Sequence, residues 1–256
     1  MSEGPRIRRR IGVVNPNSSP RATALIDGYL RPRALADSAL TVVGAERGPA
    51  GIDGPLDGAI AAVEAARTIA ELAPRIDAFV LACGNDPGLD ACRQVSDRPV
   101  VGIAEAGMQA AALVAASFSI VVLSPAKATA MRRLAHGYGH GERLASIVAM
   151  ATDARALFAA PTSGLERLTT ACAHARDHDG AEAIVLPGAA MAGNERPLAE
   201  ALGMPVVCGL AAALRSAEML VDLGLTTSPV HSYARRTAPL DLDGATGSVP
   251  TPGVLT

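Results

Sequence analysis

The sequence predicts an α/β protein of two pseudo-symmetric lobes, each a mostly parallel sheet flanked by helices, with a cleft between them. Short apolar runs alternate with segments of helical periodicity, which is the pattern of parallel strands joined by crossover helices. The pattern begins again after about residue 116. Aromatic residues make up only 2% of the 256 residues, and small aliphatic residues dominate, as in buried parallel sheets.

The elements of the first half alternate in order. Each predicted strand is a short run of Val, Ile, Leu or Ala that stops near Gly, Pro or Asn, and a helical segment follows. We expect strands at 11–14, 40–43, 79–82 and 99–103, and helices at 22–30, 60–72, 89–95 and 104–116. In such sheets ligands bind at the carboxyl ends of the strands.

The second half repeats the first. The matched features are Ser18 with Ser124, segment 77–81 with segment 182–186, and Pro99-Val-Val with Pro205-Val-Val, at offsets of 106, 105 and 106 residues. Three matches at one nearly constant offset predict an internal repeat. We therefore expect a first lobe over residues 1–116, a second lobe over 117–228 and a C-terminal extension over 229–256.

Composition excludes several kinds of partner. The formal net charge is −2, the pI is near 6.2 and no basic face recurs, so no nucleic acid partner is expected. The most apolar region, 110–123, is shorter than the ~20 residues of a membrane span, and we expect no export signal. The four cysteines fit no paired spacing, which is typical of reduced thiols in a cytoplasmic protein.

The segment around Cys83 is the strongest candidate site. An apolar strand at 79–82 delivers this thiol into Gly84-Asn85-Asp86-Pro87-Gly88, where the strand must end. A helix predicted immediately afterwards places Cys83 and the loop N–H groups near a positive helix end. Such a setting suits a thiolate, although a lone cysteine is also a common small buried residue.

The repeat identifies the residues that face Cys83 across the cleft. At an offset of 105 the position equivalent to Cys83 is Gly188, in a loop without a thiol, carboxylate or imidazole. Cys208 corresponds to Gly102, on the next strand along. Asp86 and Glu105 are interpreted as a turn residue and a helix N-terminal carboxylate. No metal or cofactor is expected, because the histidines have no tight ligand spacing and no phosphate-binding glycine motif occurs.

Several long motifs resemble the aspartate/glutamate/hydantoin racemase superfamily, most closely its hydantoin racemase branch. They are IGVVNPNSS at the start, LACGNDPGLDACRQVSDRPVVGIAEAGMQAA around Cys83, and GERLASI and AEALGMPVVCGLAAALRSAEMLVDLGLTTS in the second half. The resemblance covers roughly residues 11–228. It departs from the family at the second cysteine, which Gly188 replaces, and at Cys208, where the branch often has aspartate.

The resemblance implies a cofactor-independent enzyme whose active site lies in the cleft between the lobes. Cys83 matches the family's first thiol, which moves a proton at an acidic α-carbon of a hydantoin, amino acid or related small carbonyl compound. We expect loop amides to lower the thiol pKa of about 8.5 and to hold the enolate charge. The expected substrate-binding residues are Asn15, Ser18, Gly84, Asn85, Ser124, Gly188 and Ala189, with Cys208 as a candidate second acid.

Loss of one thiol leaves alternatives open. A single thiol also fits an arylmalonate-type decarboxylase, which protonates one face, or a maleate-type cis-trans isomerase, in which the thiolate is a nucleophile. A non-catalytic binding protein for small molecules is a further alternative. By resemblance we expect a homo-oligomer. The proline- and glycine-rich tail is expected to be flexible or to wrap a neighbouring subunit.

Overall fold

The computed structural model describes residues 7–152, 157 and 161–234, and it contains two four-stranded parallel sheets. The strands are β1 Arg9–Asn15, β2 Ser38–Gly44, β3 Ala78–Leu81, β4 Val100–Gly102, β5 Phe118–Val122, β6 Leu144–Ala149, β7 Ile184–Leu186 and β8 Val206–Cys208. The helices are α1 Pro20–Leu30, α2 Pro55–Leu72, α3 Leu89–Gln94, α4 Ile103–Val114, α5 Pro125–Gly137, α6 Pro161–Asp179, α7 Glu195–Leu202 and α8 Gly209–Asp222.

The two sheets have the same topology. The first has strand order β2-β1-β3-β4, and the second has β6-β5-β7-β8, so each strand occupies the same place as its repeat equivalent. All neighbouring strands are parallel. The predicted fold class, two pseudo-symmetric α/β lobes with helix-flanked parallel sheets, is confirmed.

Some elements depart from the prediction. Helix α2 begins at Pro55 rather than residue 60, because Asp57 accepts hydrogen bonds from the N–H groups of Asp53 (3.1 Å) and Gly54 (3.0 Å) at its start. Strand β6 was not predicted. Its residues are half-buried or exposed, so the sequence LASIVA lacks the continuous apolar run of a central strand.

Helices α4 and α8 exchange sheets between the two halves. Met108 and Ala111 of α4 pack against β5 and β7 of the second sheet. Leu214 and Ala217 of α8 pack against β1 and β3 of the first sheet. The two helices also contact each other so closely that a Cβ on Gly209 would overlap the carbonyl oxygen of Ile103. The predicted boundaries at 116 and 228 stay a prediction, but the packed layers cross the first of them.

Buried ionic groups anchor α8 to the first lobe. Asp222 accepts two hydrogen bonds from Arg9, at 2.8 and 2.7 Å, and Arg9 also contacts Asp37. Glu218, 1% exposed, accepts from the backbone N–H of Leu35 at 2.9 Å. Helix α8 is therefore held by polar contacts as well as by its apolar face.

The start of the predicted C-terminal extension packs on the first lobe. A short 3₁₀ helix, His231–Tyr233, brings the Tyr233 hydroxyl to Asp90, to which it donates a hydrogen bond of 2.7 Å. The rest of the extension, from residue 235, lies outside the described residues. None of the described helices is long and apolar enough to cross a membrane.

The buried Glu218 carboxylate predicts a measurable loss of stability. Replacing it by alanine leaves the Leu35 N–H without its acceptor, so we expect Glu218→Ala to lower the free energy of unfolding by about 1–3 kcal/mol in urea titrations. Glu200, an exposed glutamate paired with Arg196 on α7, provides the control. Glu200→Ala is expected to change the free energy of unfolding by less than about 0.5 kcal/mol. Equal losses for the two variants would contradict this role of Glu218.

Candidate functional site

A cavity of about 580 Å³ opens where the carboxyl ends of β1, β3 and β5 face one another between the lobes. Its lining combines polar and aliphatic residues, and it includes the candidate thiol. The lining residues are Asn15, Asn17, Ser19, Arg21, Ala22, Leu25, Ile26, Ala50, Gly51, Ile52, Asp53, Ala82, Cys83, Gly84, Leu123, Ser124, Lys127, Thr152, Gly188, Ala189 and Ala190. The predicted position at the strand ends thus coincides with a cavity of the size that small-molecule sites have.

Cys83 lies two residues beyond β3, at the wall of this cavity. Its carbonyl oxygen accepts from the N–H of Asp86 at 2.9 Å, which closes the turn that ends the strand. Burial raises the pKa of the Cys83 thiol to about 11, and a hydrogen bond from the N–H of Asn85 and the nearby charge of Lys127 oppose this only in part. The Asn85 amide thus lowers the thiol pKa as expected, but the expected net decrease is wrong for the unliganded site, because desolvation of the thiolate outweighs the amide.

The loop that carries Gly188 lies directly across from Cys83. A Cβ on Gly84 would come within 3.1 Å of the carbonyl oxygen of Pro187 and 3.3 Å of the Cα of Gly188, so the two equivalent loops are in van der Waals contact. A Cβ on Gly188 itself would meet only the Cε of Met191, at 3.2 Å. The cavity thus has room for a side chain at Gly188, since a methionine methyl group can move aside.

The first polar loop orders itself by its own hydrogen bonds. Asn15, 1% exposed, donates from Nδ2 to Asn17 in the loop and to Thr23 in α1, both at 3.0 Å, so both of its donor hydrogens are used by the protein itself. Ser19 accepts from the N–H of Ala22 and caps α1. Asn15 therefore shapes the site, while Asn17 and Ser19 are the members of this loop that sequence reasoning missed.

The other predicted binding residues divide into two groups. Gly84, Ser124, Gly188 and Ala189 line the cavity, whereas Ser18 and Asn85 do not. The N–H of Ser18 is bound to the carbonyl of Pro49, at 3.0 Å. Asn85 acts through its N–H on the thiol sulfur of Cys83. Along the loop that follows β1, every second residue lines the cavity, namely Asn15, Asn17 and Ser19.

Cys208 lies outside the cavity lining. It precedes α8, where its sulfur contacts the Tyr29 hydroxyl and the N–H groups of Leu210 and Ala211. Tyr29 in turn donates to Glu195 at 2.7 Å. Cys208 is buried, 4% exposed, among core residues of the first sheet, and this burial raises the pKa of its thiol. The prediction of Cys208 as a second acid has no geometric support, because the repeat places it one strand away from the reacting centre.

Asp86 is a structural carboxylate and more than a turn residue. It is 4% exposed, and it accepts hydrogen bonds from the N–H groups of Ala104 (3.1 Å) and Glu105 (2.9 Å) and from the Tyr138 hydroxyl (2.9 Å). Asp86 thereby caps α4 and joins the Cys83 loop to the end of α5. Burial raises its pKa to about 7, against the effect of these donors.

Charged residues at the cavity were also missed by sequence reasoning. Arg21 in the first turn of α1 and Lys127 in the first turn of α5 both line it, and Lys127 pairs with Asp53 at 3.5 Å. The signal was present, because Lys127 follows Arg21 by 106 residues, the offset of the repeat. A thiol, backbone amides, hydroxyl groups and two cations thus converge on one cavity.

Several known racemases are similar to this chain in sequence and in structure. A family model described as Asp/Glu/Hydantoin racemase matches residues 11–217. A hydantoin racemase of Paenarthrobacter aurescens is 40% identical over 230 residues, 89% of this chain and 98% of that protein. One of Pseudomonas sp. strain NS671 is 36% identical, over 88% and 90%. An allantoin racemase from Klebsiella pneumoniae superposes with a TM-score of 0.87 at 36% identity, over 90% and 95% of the two chains.

The raised pKa of Asp86 predicts a pH-dependent contribution to stability. Its pKa is near 3.9 in an unfolded chain and about 7 in the fold, so the folded state binds the proton more tightly. The contribution is complete below about pH 4 and is lost as the pH rises through 7, at up to about 1.4 kcal/mol per pH unit. We expect Asp86→Asn to remove this slope in urea titrations from pH 4 to 8.

Asp90, whose side chain is 83% exposed on α3, serves as the matched control. Asp90→Asn is expected to keep the wild-type slope. A slope of the same size in Asp86→Asn would show that another group causes it.

Proposed function

This chain belongs to the Asp/Glu/hydantoin racemase family and is a racemase-type enzyme. We propose that it moves the proton at C5 of hydantoins or related cyclic ureides, with Cys83, the one thiol among the described residues that line the cavity, as its proton carrier. The observation that carries the proposal is the placement of Cys83 on the cavity wall, opposite the Gly188 loop. The hydantoin and allantoin racemases it resembles support the cyclic ureide as the substrate class.

The proton at C5 lies beside a carbonyl group, so its removal requires a base and a site for the enolate charge. In our proposal the Cys83 thiolate takes this proton on one face, and the reverse step returns it from the neutral thiol. The N–H of Asn85, which contacts the sulfur, stabilises the thiolate as it forms. Backbone N–H groups of Gly84 and Ala189 and the hydroxyl of Ser124, all at the cavity, are the proposed donors to the enolate oxygen.

The opposite face needs a different proton carrier. The Gly188 loop presents small residues, and the space beside Gly188 is large enough for a side chain. We propose that a water molecule in this space exchanges the proton on that face, so that inversion is slower than exchange on the Cys83 face. In this scheme, each inversion moves the C5 proton to the sulfur of Cys83 on one face, and C5 receives a proton from water on the opposite face.

The test follows both faces at once. Enantiopure 5-isobutylhydantoin is incubated with the enzyme in D₂O, and deuterium at C5 is followed by NMR while optical rotation is followed by polarimetry. We expect deuteration to outpace loss of rotation. For Cys83→Ser we expect a loss of about 10²-fold or more in exchange, whereas Cys172→Ala, which removes a buried core thiol, is expected to keep it.

Between pH 7 and 8.5, kcat/KM is expected to rise about tenfold per pH unit, because the thiol pKa lies well above this range. Full activity in Cys83→Ser would refute the proposed mechanism. Release of CO₂ from arylmalonates or isomerisation of maleate, with no exchange in hydantoins, would favour the alternative one-thiol reactions.

A second thiol should accelerate inversion. Gly188→Cys places a sulfur opposite Cys83 with only Met191 to displace, so we expect faster loss of optical rotation, by about tenfold or more, with little change in deuterium exchange on the Cys83 face. Gly188→Ala is the control for the added bulk and is expected to bring no gain. If both variants lose rotation at the wild-type rate, the missing thiol does not limit inversion.

A further inference from the structure

We propose that the site selects substrates whose 5-substituent carries a negative charge, and that Lys127 and Arg21 bind that group. This inference rests on the proposed function and adds the substrate class. It is carried by the cavity itself: its ionisable lining residues are Arg21, Lys127, Asp53 and Cys83. With a protonated thiol the formal charge of the lining is positive, which favours an anion.

The positions of the two cations favour a role in binding over a role in stability. Both lie in the first turn of a helix, α1 or α5, where the helix dipole disfavours positive side chains. If these positions served only to stabilise the two helices, acidic side chains would be the favoured choice in the first turn. Because Arg21 and Lys127 occupy nearly equivalent positions of the repeat, they approach the cavity from opposite lobes.

Lys127 is close enough to the reacting centre to contact a substrate. Lys127 and Cys83 line the same cavity, and the charge of Lys127 acts to lower the pKa of the thiol. The side chain is 27% exposed, so it is partly shielded from solvent and its charge is less screened than on an open surface.

The present partner of Lys127 is replaceable. Asp53 lies in the loop before α2 with its side chain 87% exposed, and the pair is separated by 3.5 Å. Exposed ion pairs of this kind contribute little to stability. A carboxylate on the substrate can therefore take the place of Asp53 beside Lys127 at small cost.

Hydantoins with an uncharged 5-substituent provide the comparison for those with a negatively charged one. Leu25, Ile26 and Ile52 also line the cavity, so a neutral substituent has apolar surface to contact without using either cation. A matched pair of substrates, one carboxylate and one carboxamide of the same shape, thus isolates the effect of charge.

The experiment compares 5-(2-carboxyethyl)hydantoin with 5-(2-carbamoylethyl)hydantoin. With the wild-type enzyme we expect kcat/KM to be at least tenfold higher for the carboxylate, and this preference to shrink as NaCl is raised from 20 to 500 mM. Lys127→Gln is expected to lower kcat/KM for the carboxylate about tenfold more than for the carboxamide, mainly through KM, and the smaller loss shared by both substrates is expected because the thiol of Cys83 loses a nearby positive charge. Lys127→Glu is expected to reverse the preference, and Arg21→Gln to reduce it.

The control is Arg132→Gln, which removes an exposed cation of α5 outside the cavity lining and is expected to leave both substrates unaffected. Equal losses for both substrates in Lys127→Gln would overturn the proposal and assign Lys127 to the enolate instead. Equal kcat/KM values of the wild-type enzyme for the two substrates would also overturn it.

Failure of the proposed function is distinguishable, because it would abolish turnover of both hydantoins. In that case binding is measured by protection of Cys83 from iodoacetamide. Stronger protection by the carboxylate, lost in Lys127→Gln, would support the inference independently of turnover. Equal protection by both compounds would overturn it.

Discussion

The buried carboxylate of Asp86 connects the parts on which the site depends. Asp86 belongs to the turn that presents Cys83, it caps α4, and it accepts a hydrogen bond from the hydroxyl of Tyr138 after α5. Because α4 covers the second sheet, a single side chain links the thiol of one lobe to the core of the other. An unsatisfied buried carboxylate would be costly, so these three donors keep the turn, the helix and the cleft in one arrangement.

The site that results is asymmetric, although its scaffold is nearly symmetric. One side has a thiol that is protonated at rest, and the equivalent position on the other side has a glycine with free space. A symmetric pair of helix starts supplies Arg21 and Lys127 at the same cavity. The two lobes thus contribute equivalent cations to the cavity, but the thiol lies on only one side. The residues proposed to bind the substrate are therefore different from the group proposed to decide on which face the proton is transferred.

The sequence predicted the sheets well because the internal repeat and the apolar strands are local signals. The repeat, a pattern over about 105 residues, also predicted that Cys83 and Gly188 lie in equivalent loops, and both residues line the same cavity. Other features depend on contacts between distant segments, which periodicity does not encode. The apolar face of α8 is visible in the sequence, but the sheet that it covers is not. Asp86 has the sequence context of a turn residue, and only the packing of α4 makes it a cap. Likewise, desolvation of Cys83 depends on the walls of the cavity, so its pKa could not be read from the loop.

The exchange of α4 and α8 bears on how such a chain arises. Each half ends in a helix that covers the sheet of the other half, which is the arrangement of a domain-swapped homodimer whose two chains have been joined. Such an ancestor would have had two identical loops facing each other across a true twofold axis. In a single chain the two loops can differ, as Cys83 and Gly188 do, whereas two identical chains would carry the same residue at both positions.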